Sequence, residues 1–350
     1  MALASAVLAG ACQSAEPAKK VEPAVERAAE VADNKPVIDR KIESAMAAAR
    51  ASSEQAGPSA AQQNAPPEDG ILGAEAAARE LSPGSGAQIV LGSAGSEPRV
   101  VLAAARVSAA PAGTLDVSYR SGGSVMPKVE LKFKGKTTPG SATGAGESDG
   151  LLMHFGFTSA RPAADQPGRL PDNARSEIAK LEGSSVDFVA DARGAVVSQR
   201  LQVSGNNPVL EPFVQGSALA LAALAVPYPD VPVGVGAYWM VKSRELAEGA
   251  EVIAYRMVKL TALDGGVAQL SLNTKRYLVT PRLALQGLPP HQVRQFQSEG
   301  TATLSLPVGS AFPRSAEVKE QFGSLVTVEE RPQQPIPVQT EITAQIQLGS

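Results

Sequence analysis

The sequence predicts a mainly β protein, in which one large, curled, half-barrel-like antiparallel sheet packs against a single helix and follows a disordered N-terminal tether. Three observations lead to this fold class. Apolar and polar residues alternate over many segments after residue 97, as in half-buried antiparallel strands. One apolar segment, 208–224, has the length and composition of a core helix. All the aromatic residues lie from Tyr119 to Phe322, so the first hundred residues lack the large side chains that build a core.

The chain begins with a short apolar segment, MALASAVLAGAC, which ends at the only cysteine. Residues 1–11 are typical of the end of a bacterial signal sequence. The segment resembles a lipobox, the run of small residues before a cysteine that becomes lipidated, so Cys12 is the predicted lipidation site; the alternative is a free thiol in an Ala-rich tail. Acyl chains on Cys12 would hold the protein on a membrane. Gln13 stands where an acidic residue would favour inner-membrane retention, so resemblance to bacterial sorting implies the outer membrane, facing the periplasm.

Residues 12–96 are predicted to be a lipid-anchored, disordered linker. Their Ala, Glu, Pro, Gln, Ser and Lys content offers too little apolar bulk to offset the entropy of ordering. Two segments, 37–51 and 71–82, have helical patterns, but isolated helices of this length are marginal in water. Residues 97–350 form the predicted β domain.

The first half of this domain contains three predicted strands, at 114–121, 128–135 and 151–157. In the third, Met153, Phe155 and Phe157 face the core and His154 faces the other side. A proline-rich polar loop follows. Residues 184–203 then predict a hairpin, and the segment Pro208 to Leu224 predicts the core helix, which is too short to span a bilayer.

The second half repeats this pattern. Residues 236–243 predict a strand, 251–279 a hairpin that turns at Asp264-Gly265-Gly266, and 336–348 the closing strand. The segments that begin at Gly183 and Gly300 are alike, which leaves open an internal duplication with halves 97–207 and 230–350. So many strands predict a sheet that curls, because wide sheets rarely stay flat.

The succession VPVGVGAYWMV, YRMVKLTALDGGVAQLSL and GTATLSLPVGSAFPRSAEV resembles a group of predicted bacterial lipoproteins classed only as a domain of unknown function. The likeness covers residues 97–348. Its residues are Gly236, Trp239, Asp264, Gly265, Gly300 and Gly309. The resemblance implies no activity, catalytic residue or ligand. The predicted architecture is also similar, more loosely, to envelope lipid-carrier lipoproteins, where an incomplete barrel covered by helices holds an acyl chain.

Composition and motifs argue against several function classes. A net charge of −3, with no basic run interleaved with aromatic residues, argues against nucleic-acid binding. One cysteine and two distant histidines leave little material for a metal site, and no cofactor is expected. The chain has no Ser-x-x-Lys motif, and GGSVM at 122–126 lacks the closing glycine of a nucleophile motif. The VGVG segment at 233–236 lacks the Lys and Ser/Thr of a phosphate loop and predicts a turn into a strand.

A few polar side chains could carry chemistry. His154 could act as a base beside Asp149 or Asp187, although a solvated surface histidine is the favoured interpretation. Asp191 is expected to bond the backbone of its own turn. His291, after two prolines, is expected in a loop.

Trp239 and Tyr238 are adjacent in a strand and must point to opposite faces, with Trp239 favoured as a core residue over a ligand contact. No catalytic, metal or ligand-binding residue can be assigned. The prediction is therefore a non-enzymatic, lipid-anchored envelope protein that binds an apolar ligand, such as a lipid, or an envelope protein. The alternatives are an envelope hydrolase with dispersed catalytic carboxylates and a purely structural module. A hollow concave face beneath the helix would favour the acyl chain.

Overall fold

The computed structural model describes residues 67–102, 112–121, 124–141, 149–165, 170–191, 194–207, 209–247, 249–283, 291–327 and 334–349. The strands in these ranges are β1 Gln88–Ser93, β2 Ala112–Ser121, β3 Ser124–Val125, β4 Val129–Ser141, β5 Asp149–Pro162, β6 Ser185–Ala190, β7 Val196–Gln202, β8 Tyr238–Ala247, β9 Ala250–Asp264, β10 Val267–Leu278, β11 Arg282–Leu283, β12 His291–Pro307, β13 Ser315–Thr327 and β14 Ile336–Leu348. The helices are α1 Ala74–Glu80, α2 Asp172–Ala179 and α3 Glu211–Ala222, with a 3-10 turn at Ser204–Asn206.

The strands form one antiparallel sheet, which confirms the predicted fold class. Twelve of them follow the order β1-β8-β9-β10-β12-β13-β14-β2-β4-β5-β6-β7 without closing, while β3 pairs with β2 and β11 with β12. The two predicted halves each form an antiparallel meander, and the β14–β2 pair joins them. Whether the halves arose by duplication stays a prediction.

The period-2 pattern places one apolar face on a continuous core. A row of paired residues crosses seven strands from β8 to β2, and all its side chains are buried: Trp239, Val258, Leu272, Ala302, Val318, Ala344 and Val117. The predicted β9–β10 hairpin is confirmed, and Gly265 and Gly266 occupy its turn with φ of 54° and 75°. Glycine takes two such conformations in succession without steric cost, because it has no Cβ.

Helix α3 lies on the concave face of the sheet, as predicted. It contacts β14, β2, β6 and β7, and eight of its twelve residues are buried. Gly216 permits this close approach, since a Cβ there would lie 2.8 Å from Cδ2 of Tyr119. Within the described ranges, no helix combines the length and apolar character needed to cross a membrane.

Residues 67–96 correct the predicted linker boundary, because they belong to the packed structure. Helix α1 buries Ala77 and Leu81 against the outer face of β8 and β9, and the Tyr255 hydroxyl donates to Glu80 Oε2 at 2.7 Å. Strand β1 pairs with β8. The average composition of this segment predicted disorder because it contains few apolar side chains. A few are enough to cover part of a sheet when the other strands supply the core. The predicted linker at 12–66 lies outside the described residues.

Helix α2 is a second difference, since it lies at the end of the segment predicted to be a loop. The prolines of that segment precede the helix, and Pro171 is its N-cap residue. A proline at a helix start removes no intrahelical hydrogen bond. Ile178 is buried, and the helix packs on β5.

Candidate functional site

The adjacent aromatic residues of β8 confirm the predicted division between core and surface. Trp239 is fully buried, and its Nε1 donates to the Pro227 carbonyl at 3.0 Å. Tyr228 meets the indole edge-on at 6.5 Å, and burial raises the pKa of its hydroxyl. Tyr238 is 40% exposed, and its ring lies across Gly92 of β1. The indole is therefore a core residue.

The concave face beneath α3 is occupied by side chains of the helix. Phe213, Val214, Ala218 and Leu221 join the main core. One cavity lies near the end of α3, and its volume of about 20 Å³ suits a single water molecule. An acyl chain at this face would have to displace helix side chains.

A buried cluster of four charged residues borders this cavity. Arg276 of β10 donates Nη1 and Nη2 to the two carboxylate oxygens of Glu320 on β13, at 2.6 and 3.0 Å. Glu245 of β8 accepts from Arg276 Nε at 3.4 Å and from Arg256 Nη2 of β9 at 3.1 Å. The two arginines balance the two carboxylates, and we call these four residues the buried quartet.

Local sequence features make room for the buried quartet. Gly300 lies beside Glu320 on the neighbouring strand, and a Cβ there would sit 2.2 Å from Glu320 Oε2. The ring of Phe322 lies 5.5 Å from the Arg276 guanidinium. Burial alone would raise the pKa of Glu245, but Arg256 and Arg276 lower it below its usual range. Burial opposes the charge of Arg276, yet Glu320 and Glu245 outweigh it and raise the pKa of the arginine.

His154, Asp187 and Asp191, which the sequence offered as candidate polar residues, have different surroundings in the structure. His154 points outward, and its Nδ1 lies 2.6 Å from Asp187 Oδ1; the side chain of Asp149 lies outside the described part. Asp191 accepts from the Ala195 amide of its own turn at 2.9 Å, as predicted. It also accepts from the amide of Ala87 at 2.8 Å, and so ties the start of β1 to the β6–β7 turn.

His291 corrects the expectation of a loop residue. It is the first residue of β12, pairs with Leu283 of β11 and is 7% exposed. A strand can begin directly after a proline, because the missing amide lies outside the ladder. Its Nδ1 has no hydrogen-bond partner in the described structure. The predicted VGVG turn is confirmed, with Gly236 at a φ of 84° and its amide bonded to the Leu260 carbonyl.

An open groove of about 410 Å³ crosses the outer face of β10, β12, β13, β14 and β2. Asp116 of β2 and Glu317 of β13 line it, separated by Gln345 of β14 in the same cross-strand row. Their Cα atoms are therefore about 10 Å apart. Burial raises the pKa of Asp116, and the nearby ammonium of Lys128 only partly opposes this.

Exposed apolar side chains gather at the β1 end of the sheet. They lie on two segments that pair with each other, 88–101 and 231–240. Their members, which we call the apolar rim, are Val90, Leu91, Val101, Val231, Val235 and Tyr238. Among the described strands, only β8 pairs with β1.

Sequence reasoning missed both the buried quartet and the rim. Glu245, Arg256, Arg276 and Glu320 lie on inward positions of strands far apart in sequence, and inward charges in an alternating pattern were the available signal. The apolar run Ile89-Val90-Leu91 was the signal for β1. Cys12 lies outside the described residues.

Comparison with known proteins adds no family to this picture. No protein-family model matches the chain, and no curated protein matches it. The resemblance to lipoproteins of unknown function and the architectural similarity to lipid carriers therefore stay predictions.

Proposed function

We propose that the chain is a lipid-anchored protein of the bacterial cell envelope, held through Cys12 at the outer membrane facing the periplasm, whose β domain binds an envelope protein. The anchor is supported by the signal-like residues 1–11 and the lone cysteine that follows them. Binding is proposed in preference to catalysis because of the apolar rim.

The observation that carries this proposal is the exposed, uncharged edge that β1 presents. Strand β1 is the last strand of the sheet within the described residues, and its segment QIVLGS holds no charged residue and no proline. Val90 and Leu91 are 38% and 37% exposed. Edge strands are usually protected by charges, prolines or a covering element, since unpaired backbone groups invite another strand. An extended apolar segment of a partner would satisfy these groups by adding a strand.

The structure favours this partner over an apolar ligand beneath α3. Helix side chains occupy that face, whereas the rim is open to solvent. Exposed apolar patches on soluble domains commonly mark interaction surfaces.

A photo-crosslinking residue at position 91 of the full chain, in its native host, tests the partner. Leu152 of β5 is the matched control, because it is 41% exposed and lies away from the rim. We expect position 91 to yield one discrete adduct, whose crosslinked peptide is an extended apolar segment, and Val90→Lys to abolish it. Equal adducts from both positions, or none from position 91, would refute the partner.

The anchor is tested separately with Cys12→Ser. Wild-type chain should incorporate a labelled fatty acid and fractionate with the outer membrane, whereas the variant should lose both properties. An unlabelled, uncleaved wild-type chain would refute the anchor without affecting the partner.

A second candidate function is that of an envelope hydrolase. One observation favours it, namely that two carboxylates line the open groove. Asp116, whose pKa burial raises, suits a proton donor, and Glu317 suits a base across the groove. Incubation with purified envelope glycan should then release fragments, and Asp116→Asn should abolish that release. Unchanged glycan, or release that survives the substitution, would reject this candidate.

A further inference from the structure

The outer face of β4, β5, β6 and β7 carries two neighbouring rows of polar residues. Strand pairing places the first row as Lys136, His154, Asp187 and Arg200, and the second as Lys134, Gly156, Ser185 and Gln202. Paired residues in antiparallel strands lie about 5 Å apart, and the two rows are about 7 Å apart along the strands. The eight positions therefore form a compact grid.

Gly156 makes a hollow in this grid, and we call it the outer recess. It is open and has a volume of about 430 Å³. It is lined in part by Lys134, Lys136, His154, Ser185 and Gln202. A Cβ at position 156 would lie 3.2 Å from His154 Nε2, so a side chain there would intrude on the recess beside the imidazole.

The charge around the outer recess is positive. Lys132, Lys134 and Lys136 all point outward from β4, and none of them forms an ion pair with another described residue. Asp187, the one carboxylate in the two rows, is already bonded to His154 Nδ1 at 2.6 Å. This bond leaves Nε2 as the imidazole atom free to meet a ligand.

From this geometry we propose that the outer recess binds a phosphate group. Two lysines, a histidine, a serine and a glutamine line one hollow. Their ammonium, hydroxyl and amide groups offer more donors than the two oxygens of a carboxylate can use, whereas a phosphate presents three or more strong acceptor oxygens. The site lies on a different part of the sheet from the apolar rim and does not depend on the proposed partner.

The experiment measures binding of inorganic phosphate to the full chain carrying Cys12→Ser, so that no acyl anchor contributes. Lys134→Gln and Lys136→Gln should each raise Kd at least about tenfold, because each removes a charge-assisted hydrogen bond. Lys132→Gln is the matched control, since it removes the same charge from the same face of the same strand outside the recess. It should change Kd less than about threefold, because salt screens distant charges.

Gly156→Ala tests the hollow without changing any charge, and we expect it to weaken binding at least tenfold. If the alanine variant fails to fold, Lys134→Gln still tests the site, because Lys134 is exposed and its replacement should not affect folding. The proposal is overturned if phosphate does not bind saturably at millimolar concentration and vesicles do not bind either. It is equally overturned if Lys132→Gln is as damaging as Lys134→Gln.

The source of the phosphate is distinguished with vesicles of phosphatidylglycerol, and vesicles of phosphatidylcholine serve as the neutral comparison. Binding to phosphatidylglycerol vesicles that Lys134→Gln weakens and Lys132→Gln spares identifies a lipid headgroup. Binding of inorganic phosphate and glycerol 3-phosphate alone, with the same dependence, identifies a soluble phosphate. Vesicle binding that both lysine variants weaken equally contradicts the proposed site.

Discussion

Replacing Glu320 with glutamine tests the energetics of the buried quartet. The substitution keeps the side-chain volume but removes a charge from a site where Arg276 and Glu320 are 3% and 5% exposed. The amide nitrogen would face one of the Arg276 nitrogens, donor against donor, and the quartet would keep an uncompensated positive charge. Breaking a buried pair in this way costs about 3–5 kcal/mol. We expect about 3 kcal/mol, the low end, because Glu245 still faces both arginines.

Urea unfolding followed by circular dichroism measures this loss as a lower midpoint at unchanged slope. The double variant Arg276→Met/Glu320→Met is the control, since it removes both charges and leaves Glu245 paired with Arg256. It should be less destabilised than Glu320→Gln, because apolar replacement of a whole buried pair is often close to neutral. A loss below about 1 kcal/mol for the single variant would refute the reasoning. So would losses for Arg276→Met and Glu320→Met that simply add in the double variant.

Three further predictions concern other parts of the fold. Because the pKa of Glu245 is lowered in the folded protein, this carboxylate binds a proton more readily in the unfolded chain. The free energy of unfolding should therefore fall as pH drops below about 4.5. In a pH series of urea titrations, Glu245→Gln should reduce this fall. Gly216→Leu should destabilise the protein by about 3 kcal/mol through overpacking against the sheet, whereas Gln215→Leu, on the less buried side of α3, should change thermal stability little. Asp191→Ala should cost about 2–4 kcal/mol by leaving two buried amides without an acceptor, and faster hydrogen exchange at Ala87 is the direct readout.

Much of the β architecture could be predicted because alternation is a local property. Residues such as Met153, Phe155 and His154 reveal their faces from neighbours two positions away. The Gly265-Gly266 turn follows equally from local backbone freedom. Helix α1 lies within the helical pattern at 71–82, but its packing, like strand β1, could not be predicted, because the few apolar side chains of these elements are decisive only when the rest of the sheet is present to receive them.

The candidate sites depend on distances that sequence spacing does not contain. Arg276 of β10 and Glu320 of β13 lie on strands that are separated by β12. They meet across β12 because Gly300 of that strand has no side chain to keep them apart. The outer recess forms where Lys134, Gly156 and Ser185 are aligned by pairing of three strands.

By itself, the sequence determined most of the strand segments after residue 97, the segment that forms the core helix, and the apolar face of those strands, because these properties arise from neighbouring residues. Only the tertiary structure decided that the concave face is filled by α3, that four charges are buried together, and that β1 lies at the edge of the sheet as described. The physical reason is that burial, charge pairing and edge exposure depend on which strands become neighbours, and long-range pairing sets that order.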